Sequence, residues 1–336
     1  MARKTAPTPK FKEIIYEVKD GVAWITINRP EVHNSFREQT LDELIAAFDQ
    51  TRYDPTIAVA VVRGAGDKAF CAGGDFYAMK RLNWINAAQW NDRMLGLAMM
   101  IRGLQIPVVA MVHGYCMGGG HELALWCDIV YASDDAVLGQ TGAKVGACPT
   151  VGATQYLPRI VGERLAREMI FGCRTFTGPE AVEVGLANRS VPKKDLLKVT
   201  KEFCEKIKSY SSQTIRMTKK SLNYESDQLY SSWQQGMELL AHVWGSDESM
   251  EGMHAFLEKR KPDFGQFRKR NKVELDDYID GLRRDINKPP AKKKSAKKET
   301  KKKAVKKTTK NKVTKKTAKK KTAKKTARKS TKKRRR

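Results

Sequence analysis

Acidic residues are nearly absent from the end of the chain: residues 291–336 contain 26 Lys or Arg and a single acid, Glu299. Aromatic residues are missing there altogether. The segment therefore has neither the apolar surface to offset its ordering entropy nor a platform on which bases stack. It is expected to be a disordered tail whose contacts with nucleic acid or other polyanions are salt-sensitive and nonspecific. Residues 1–290 hold 39 Lys or Arg against 36 Asp or Glu, so the net charge of +28 belongs almost wholly to the tail. The six cysteines form no Cys-x-x-Cys pair and none has a histidine at ligand spacing. That argues against a zinc module and for small buried side chains in a reducing compartment. No stretch approaches the roughly 18 apolar residues of a membrane span, and the opening MARKTAPTPK lacks the apolar core of a secretion signal. A cytoplasmic protein with no bound metal is expected.

What is present is an alternation of buried strands and helices. IIYEVKDGVAWITIN carries β-branched residues around Asp20-Gly21 and predicts a hairpin. NRPEVHNSF is a loop, LDELIAAFDQ has helical spacing, and IAVAVVRGAG is the continuous apolar run of a strand buried on both faces. AAQWNDRMLGLAMMIRGL predicts a helix, PVVAMVHG a buried strand, HELALWCDI a helix and DIVYASDDAVLGQ short strands. From about Val161 the pattern is mostly helical, through ERLAREMIFG, TGPEAVEVGL, DLLKVTKEFCEKIKSY and SSQTIRMTKKSL. VELDDYIDGLRRDI reads as one more short helix, closed by Pro289-Pro290. The fold class is α/β, divided into a disordered leader at 1–10, a core at 11–200, a helical region at 201–288 and the tail at 289–336.

Two glycine turns stand out, AFCAGGDF and GYCMGGGHE, each following a buried strand. Glycine at a strand end permits close backbone approach and leaves N–H groups free to face a ligand. If the N–H groups of Gly74 and Gly119 converge, they form an oxyanion hole, reinforced by the positive end of a helix starting near Gly120. Either turn alone is equally an ordinary strand-to-helix connection. A dinucleotide fingerprint is excluded, because GGGHEL lacks the third glycine and no suitable acid follows a second strand.

In combination, WITINRPEVHNSF, AFCAGGDF, GYCMGGGHELALWCDIVYAS, LGQTGAKVG and GPEAVEVGLANRSVP follow one another as in the crotonase (enoyl-CoA hydratase/isomerase) superfamily, which residues 11–270 resemble. The resemblance implies a crotonase-type ββα spiral core with a helical C-terminal region that drives homo-trimers or hexamers. It implies an acyl-CoA thioester substrate, coenzyme A being part of the substrate with no separate cofactor. The thioester oxygen would accept from the Gly74 and Gly119 N–H groups. Glu122 is then the acid/base, able to take a proton from water and return it if burial tunes its pKa. Ala72, Asp75, Tyr77, Gln140, Thr141, Gly142 and Trp244 are the implied substrate-binding positions. Hydratases carry a second glutamate in a GQPE motif, where this chain has Gly139-Gln140-Thr141-Gly142. Gly142 is expected to leave room there for a bulkier cyclic acyl group, an anion or a water.

GQTGAKVG and SDESMEGMHAFLEKRKPDFGQF resemble the branch that holds 1,4-dihydroxy-2-naphthoyl-CoA synthase and 2-ketocyclohexanecarboxyl-CoA hydrolase. Ala147 and Pro149 replace that branch's Ser and Asp, and Trp244 its Tyr. Glu122 with Gly142, GYCMGGG and GATQYLP is similar to 6-oxocyclohex-1-ene-1-carbonyl-CoA hydrolase, without that family's insertion after Ser190–Pro192. The expectation is water addition to an alicyclic enoyl-CoA or β-oxoacyl-CoA with hydrolytic ring opening. The alternatives are a simple enoyl-CoA hydratase, a C–C bond-forming synthase, and polyanion binding by the tail. Other positions carry two readings each. His121 orients Glu122 or fills the core. Asp75 touches the CoA pocket or caps the next helix. Tyr77, Met79, Trp84 and Trp90 cover the acyl pocket or pack the core. Lys259 and Arg260 meet CoA phosphates of a neighbouring subunit or form a solvated face.

Overall fold

The computed structural model describes residues 10–286; the tail, and the leader apart from Lys10, lie outside the described residues. Residues up to Arg270 form one compact unit, and Asn271 opens a second. The strands are β1 (Ile14–Lys19), β2 (Val22–Ile27), β3 (Val59–Gly64), β4 (Ala69–Cys71), β5 (Val108–Val112), β6 (Tyr115–Met117), β7 (Ile129–Ser133), β8 (Val137–Gly139), β9 (Thr175–Thr177) and β10 (Arg189–Val191). The α-helices are α1 (Glu38–Tyr53), α2 (Phe76–Met79), α3 (Ala87–Gly103), α4 (Gly119–Trp126), α5 (Ala153–Val161), α6 (Glu163–Gly172), α7 (Gly178–Glu183), α8 (Lys193–Lys208), α9 (Ser212–Asp227), α10 (Tyr230–Val243), α11 (Asp247–Leu257) and α12 (Gly265–Ile286).

Two sheets result, one of six strands in the order β1-β2-β3-β5-β7-β10 and one of four in the order β4-β6-β8-β9. Each of the pairs β3–β4, β5–β6 and β7–β8 sends its first strand to the large sheet and its second to the small one, which is the ββα spiral the motif order implied. The hairpin closes as expected, with Lys19 opposite Val22. Asp20 and Gly21 both take positive φ, 52° and 72°, which matches the twist of a two-residue hairpin. β2 and β5 are buried along their whole length because both faces of the large sheet are covered. Val22, Trp24, Val59, Val61 and Val109 pack with Leu196 and Cys204 of α8. The alternate residues Ala23, Ile25, Ile27, Ala60 and Val62 belong to the main core with Leu44 and Phe48 of α1.

The sequence reading departs from the structure in a few places. It placed no strands at β4, β6, β9 or β10, each only three residues long. Runs that short show no periodicity, and their ladder partners define them. The helix read through Ile129 stops at Trp126. Cys127 turns extended, and the Asp128 carboxylate accepts from Val108 N–H at 2.7 Å. The separate short helix near the end is instead part of the continuous α12. Among the described residues no helix is long and apolar enough to cross a membrane.

Candidate active site

The small sheet brings the motifs together. β4, β6 and β8 are adjacent and parallel, with Cys71 opposite Cys116 and Met117 opposite Gly139. Their C-terminal ends therefore present Gly74, Gly119 and Gln140 side by side, although these residues lie far apart in sequence. The two glycine turns touch: a methyl added at Gly73 would lie 2.9 Å from the Met117 carbonyl oxygen and 3.1 Å from the Gly119 nitrogen. Gly118 N–H extends the ladder to Gly139 C=O at 2.9 Å.

The loop after β2 fixes the first turn. The Asn34 side chain accepts from Arg29 N–H at 3.0 Å and donates to the Ala65 and Ala69 carbonyls at 2.9 and 2.7 Å. Phe36 then forms a parallel bridge with Gly74: its N–H donates to Gly73 C=O, and its C=O accepts from Asp75 N–H, both at 2.9 Å. In that pattern Gly74's own N–H faces away from Phe36. Gly119 opens α4, so its N–H has no carbonyl one turn earlier. Both glycines line a cavity of about 70 Å³ with Phe36, Met79, Trp90, Glu122, Gln140, Gly142, Leu240 and Trp244 on its walls. A larger cleft of about 450 Å³ lies near Ile57 and Ile106 before β3 and β5. It faces the N-terminal strand ends, whereas ligands of parallel sheets sit at carboxyl ends. The candidate site is the smaller cavity, which holds both glycine turns and Glu122.

α4 is buried from Gly120 to Trp126, and Glu122 is its one charged residue. The carboxylate meets the start of α5: Oε1 accepts from Val151 N–H at 2.9 Å. Val151 is held in turn by Trp126, whose Nε1 donates to its carbonyl at 2.9 Å. Burial pushes the Glu122 carboxyl up to about 8, against a smaller lowering by the Val151 and Ala153 amides. The resting group is thus protonated at neutral pH, and its basic form appears as pH rises. If the carboxylate takes the proton from water, kcat/KM is expected to climb about tenfold per pH unit below about 8 and to level off above it. A pH–rate profile of the full chain measures this; a rate falling through that range would make Glu122 an acid in the first step.

His121 does not orient Glu122. It is buried, burial pulls its imidazole down to about 4, and its Nδ1 lies 3.0 Å from Gln140 Nε2. The Gln140 amide also donates to Gly118 C=O at 3.3 Å. Because that carbonyl only accepts, the amide nitrogen faces it, and His121 Nδ1 is the acceptor. Gln140 Oε1 is left buried without a partner among the described residues.

Of the positions expected from sequence, the cavity gathers Gly74, Gly119, Glu122, Gln140, Gly142 and Trp244, but its lining does not include Ala72, Asp75, Tyr77 or Thr141. Ala72 N–H donates to His33 C=O at 3.0 Å. Asp75 caps α2 by accepting from Tyr77 N–H at 2.9 Å and pairs with Arg29 at 2.9 Å. Tyr77 is 61% exposed and Trp84 72%, while Met79 and Trp90 reach the cavity wall. Thr141 precedes the 3-10 turn Gly142–Val145. A Cβ at Gly142 would lie 2.5 Å from the Ala147 carbonyl oxygen, so the turn admits no side chain there, and Gly142 itself lines the cavity. The turn closes on itself, with Ala147 N–H donating to Gly142 C=O at 2.9 Å. Arg260 is bound to both Glu251 oxygens at 2.6 and 2.8 Å. Sequence reasoning missed Phe36 and the Val151 amide. The NRPEVHNSF motif was the available signal for Phe36, and none existed for a backbone N–H.

Comparison with known proteins agrees with this geometry. The family description "Enoyl-CoA hydratase/isomerase" matches residues 17–269. An enoyl-CoA hydratase from Mycobacterium avium subsp. paratuberculosis K-10 is similar at 26% identity and a TM-score of 0.70, over 76% of this chain and 99% of that one. An enoyl-CoA hydratase from Bacillus anthracis is similar at 32% identity and a TM-score of 0.62, over 75% of this chain and 98% of that one. An enoyl-CoA hydratase/isomerase from Xanthobacter autotrophicus Py2 is similar at 28% identity and 0.69, over 74% and 94%. With its ββα spiral, paired glycine turns and buried glutamate, the chain belongs to the enoyl-CoA hydratase/isomerase family of the crotonase superfamily, enzymes acting on acyl-CoA.

Proposed function

We propose that this enzyme adds water to an alicyclic acyl-CoA and opens its ring, with Glu122 as the single acid/base and the Gly74 and Gly119 N–H groups as the oxyanion hole. The observation that carries the reading is one buried carboxyl group beside both glycines, facing Gly142 rather than a second carboxylate. Glu122 takes a proton from water and the hydroxide adds to the β-carbon. The π electrons move through Cα onto the thioester oxygen, held by the two N–H groups, and the proton returns from Glu122 to Cα. When the β-carbon is a ring ketone, the same hydroxide adds to it. The bond to Cα then breaks into the enolate, and Cα takes the proton. Either course consumes one water. Gln140 Oε1, buried and without a partner among the described residues, is the acceptor in the wall that suits a hydrogen bond from that water's second O–H group. Trp90 and Trp244 give the cavity an aromatic lining that suits a cyclic acyl group.

A mass-spectrometric screen tests the reading, offering linear enoyl-CoA, cyclohexene-carbonyl-CoA, 2-oxocyclohexane-carbonyl-CoA, 6-oxocyclohexene-carbonyl-CoA and succinylbenzoyl-CoA. A product that gains water and a free carboxylate supports ring opening. Turnover of linear enoyl-CoA alone makes the chain a simple hydratase, and loss of water from succinylbenzoyl-CoA on ring closure a synthase. We infer a homo-trimer or hexamer, supported by Leu222, Tyr224, Leu239 and Phe256 exposed on α9, α10 and α11. The free cysteines support a cytoplasmic setting.

The Lys-rich tail carries a second, separate activity in this reading, nonspecific binding of nucleic acid, supported by its 26 Lys or Arg and one acid. The full chain is expected to bind duplex DNA and to lose about 10³-fold or more in affinity between roughly 50 and 200 mM salt. A chain ending at residue 286 is expected not to bind and to keep its acyl-CoA turnover. Fluorescence anisotropy and steady-state assays measure both; equal DNA binding by the shortened chain removes the tail from the account.

A further inference from the structure

Buried polar atoms without partners are uncommon in native proteins, and each one marks something absent from its surroundings. Trp244 supplies one in the active-site wall. The side chain is 4% exposed and lines the cavity, and its Nε1 is buried with no hydrogen-bond partner among the described residues. Trp126 gives an internal contrast. It too is buried, and its Nε1 donates to Val151 C=O at 2.9 Å. The fold satisfies one indole N–H and leaves the other without a partner where the ring borders the site.

Trp244 is also held in place. It follows α10 in extended backbone, with its own N–H donating to Leu240 C=O at 3.2 Å. The next residue, Gly245, has φ of 78° and runs against Asn83, which a Cβ there would meet at 3.1 Å. An indole N–H only donates, so its missing partner is an acceptor. The other unpaired atom of the wall, Gln140 Oε1, only accepts and cannot serve one. The thioester oxygen is already assigned to the Gly74 and Gly119 N–H groups. A hydrocarbon enoyl group offers the indole no oxygen of its own, whereas a ketone-bearing group supplies one.

Resting on the reading of this cavity as the acyl site, we propose that Trp244 is its specificity-determining residue: the indole Nε1 donates to a ketone oxygen carried by the acyl group, so the enzyme selects oxo-bearing acyl-CoA esters over hydrocarbon ones. A ring ketone that accepts this bond is also polarised toward attack by hydroxide, which ties selection to the ring-opening course.

The test is a binding comparison in the full chain carrying Glu122→Gln, where turnover is suppressed, using 2-oxocyclohexane-carbonyl-CoA and cyclohexane-carbonyl-CoA in a calorimeter. The ketone ester is expected to bind about tenfold or more tightly. Adding Trp244→Phe, which keeps an aromatic ring and removes the donor, is expected to erase that preference by weakening the ketone ester alone. The cyclohexane ester should stay within about twofold, which also reports that the site is folded. Equal affinity for the two esters before the Trp244 change overturns the proposal, whatever the second variant does. Equal weakening of both by Trp244→Phe overturns it too, because the ring would then act by packing. Since no reaction is required, failure of the water-addition reading shows separately, as absent turnover in the unsubstituted enzyme.

Discussion

Glu122→Gln is expected to lower kcat by about 10²- to 10⁴-fold while leaving the affinity for CoA esters nearly unchanged. The cavity offers no replacement. Of its lining residues only Glu122 and Cys148 carry an ionisable group, and burial pushes the thiol up. His121 stays neutral and is engaged with Gln140 rather than the cavity wall. Glutamine keeps the side chain's shape and an oxygen for the Val151 amide, so geometry survives and proton transfer does not. Steady-state kinetics decide the matter, and a kcat within about threefold of the parent would exclude Glu122 as the proton carrier.

The same substitution should stabilise the fold, and the sign follows from linkage. The folded carboxyl titrates near 8 against an ordinary value of 4.5. The protonated form is therefore the one the fold favours. That contribution is fully present below about pH 4.5 and is lost as pH rises to about 8, at roughly 1.4 kcal/mol per pH unit between the two values. Glu122→Gln never ionises, so its melting temperature should exceed the parent's at about pH 9 and match it near pH 4. A buried group that is destabilising when charged and proposed to carry the proton in turnover fits the usual exchange of stability for function.

Much of this was legible in the sequence because the strongest signals were also the structural ones. IAVAVV and PVVAMV read as doubly buried strands because a covered parallel sheet leaves no polar face, and β3 and β5 are those strands. The glycine motifs pointed to Gly74, Gly119 and Glu122, which do line one cavity. The illegible parts arise where backbone meets backbone. Three-residue strands β4 and β6 are defined by the ladder they share with β8, yet they carry the glycine motifs to a common edge. The Ala147 carbonyl lies where a Cβ on Gly142 would stand, because a 3-10 turn folds it back, so the turn itself requires the glycine. Asp75 had two uses open to it and serves as a helix cap, a role fixed by Arg29, a residue no spacing rule connects to it.

Gly120→Ala is expected to cost about 3 kcal/mol or more, the upper range of core overpacking, and to abolish turnover in whatever folds. The three consecutive glycines answer different demands. Gly118 has φ of 52° and ψ of −122° with open space where a Cβ would be, so alanine there meets only backbone strain. At Gly119 a Cβ would lie 2.5 Å from Phe36 Cζ, the end of a ring that can shift. At Gly120 it would lie 2.0 Å from the Cys71 carbonyl oxygen and 2.7 Å from its carbon. That carbonyl belongs to β4, fixed by its pairing of Cys71 with Cys116. No rotamer relieves the clash, so α4 and β4 must separate. Their separation pulls Gly74, three residues beyond Cys71, away from Gly119 and opens the proposed oxyanion hole. Thermal melts of Gly118→Ala, Gly119→Ala and Gly120→Ala should therefore rank the last as least stable by a wide margin. A Gly120→Ala chain melting within about 2 °C of the parent would mean that α4 does not rest on β4 in the way described.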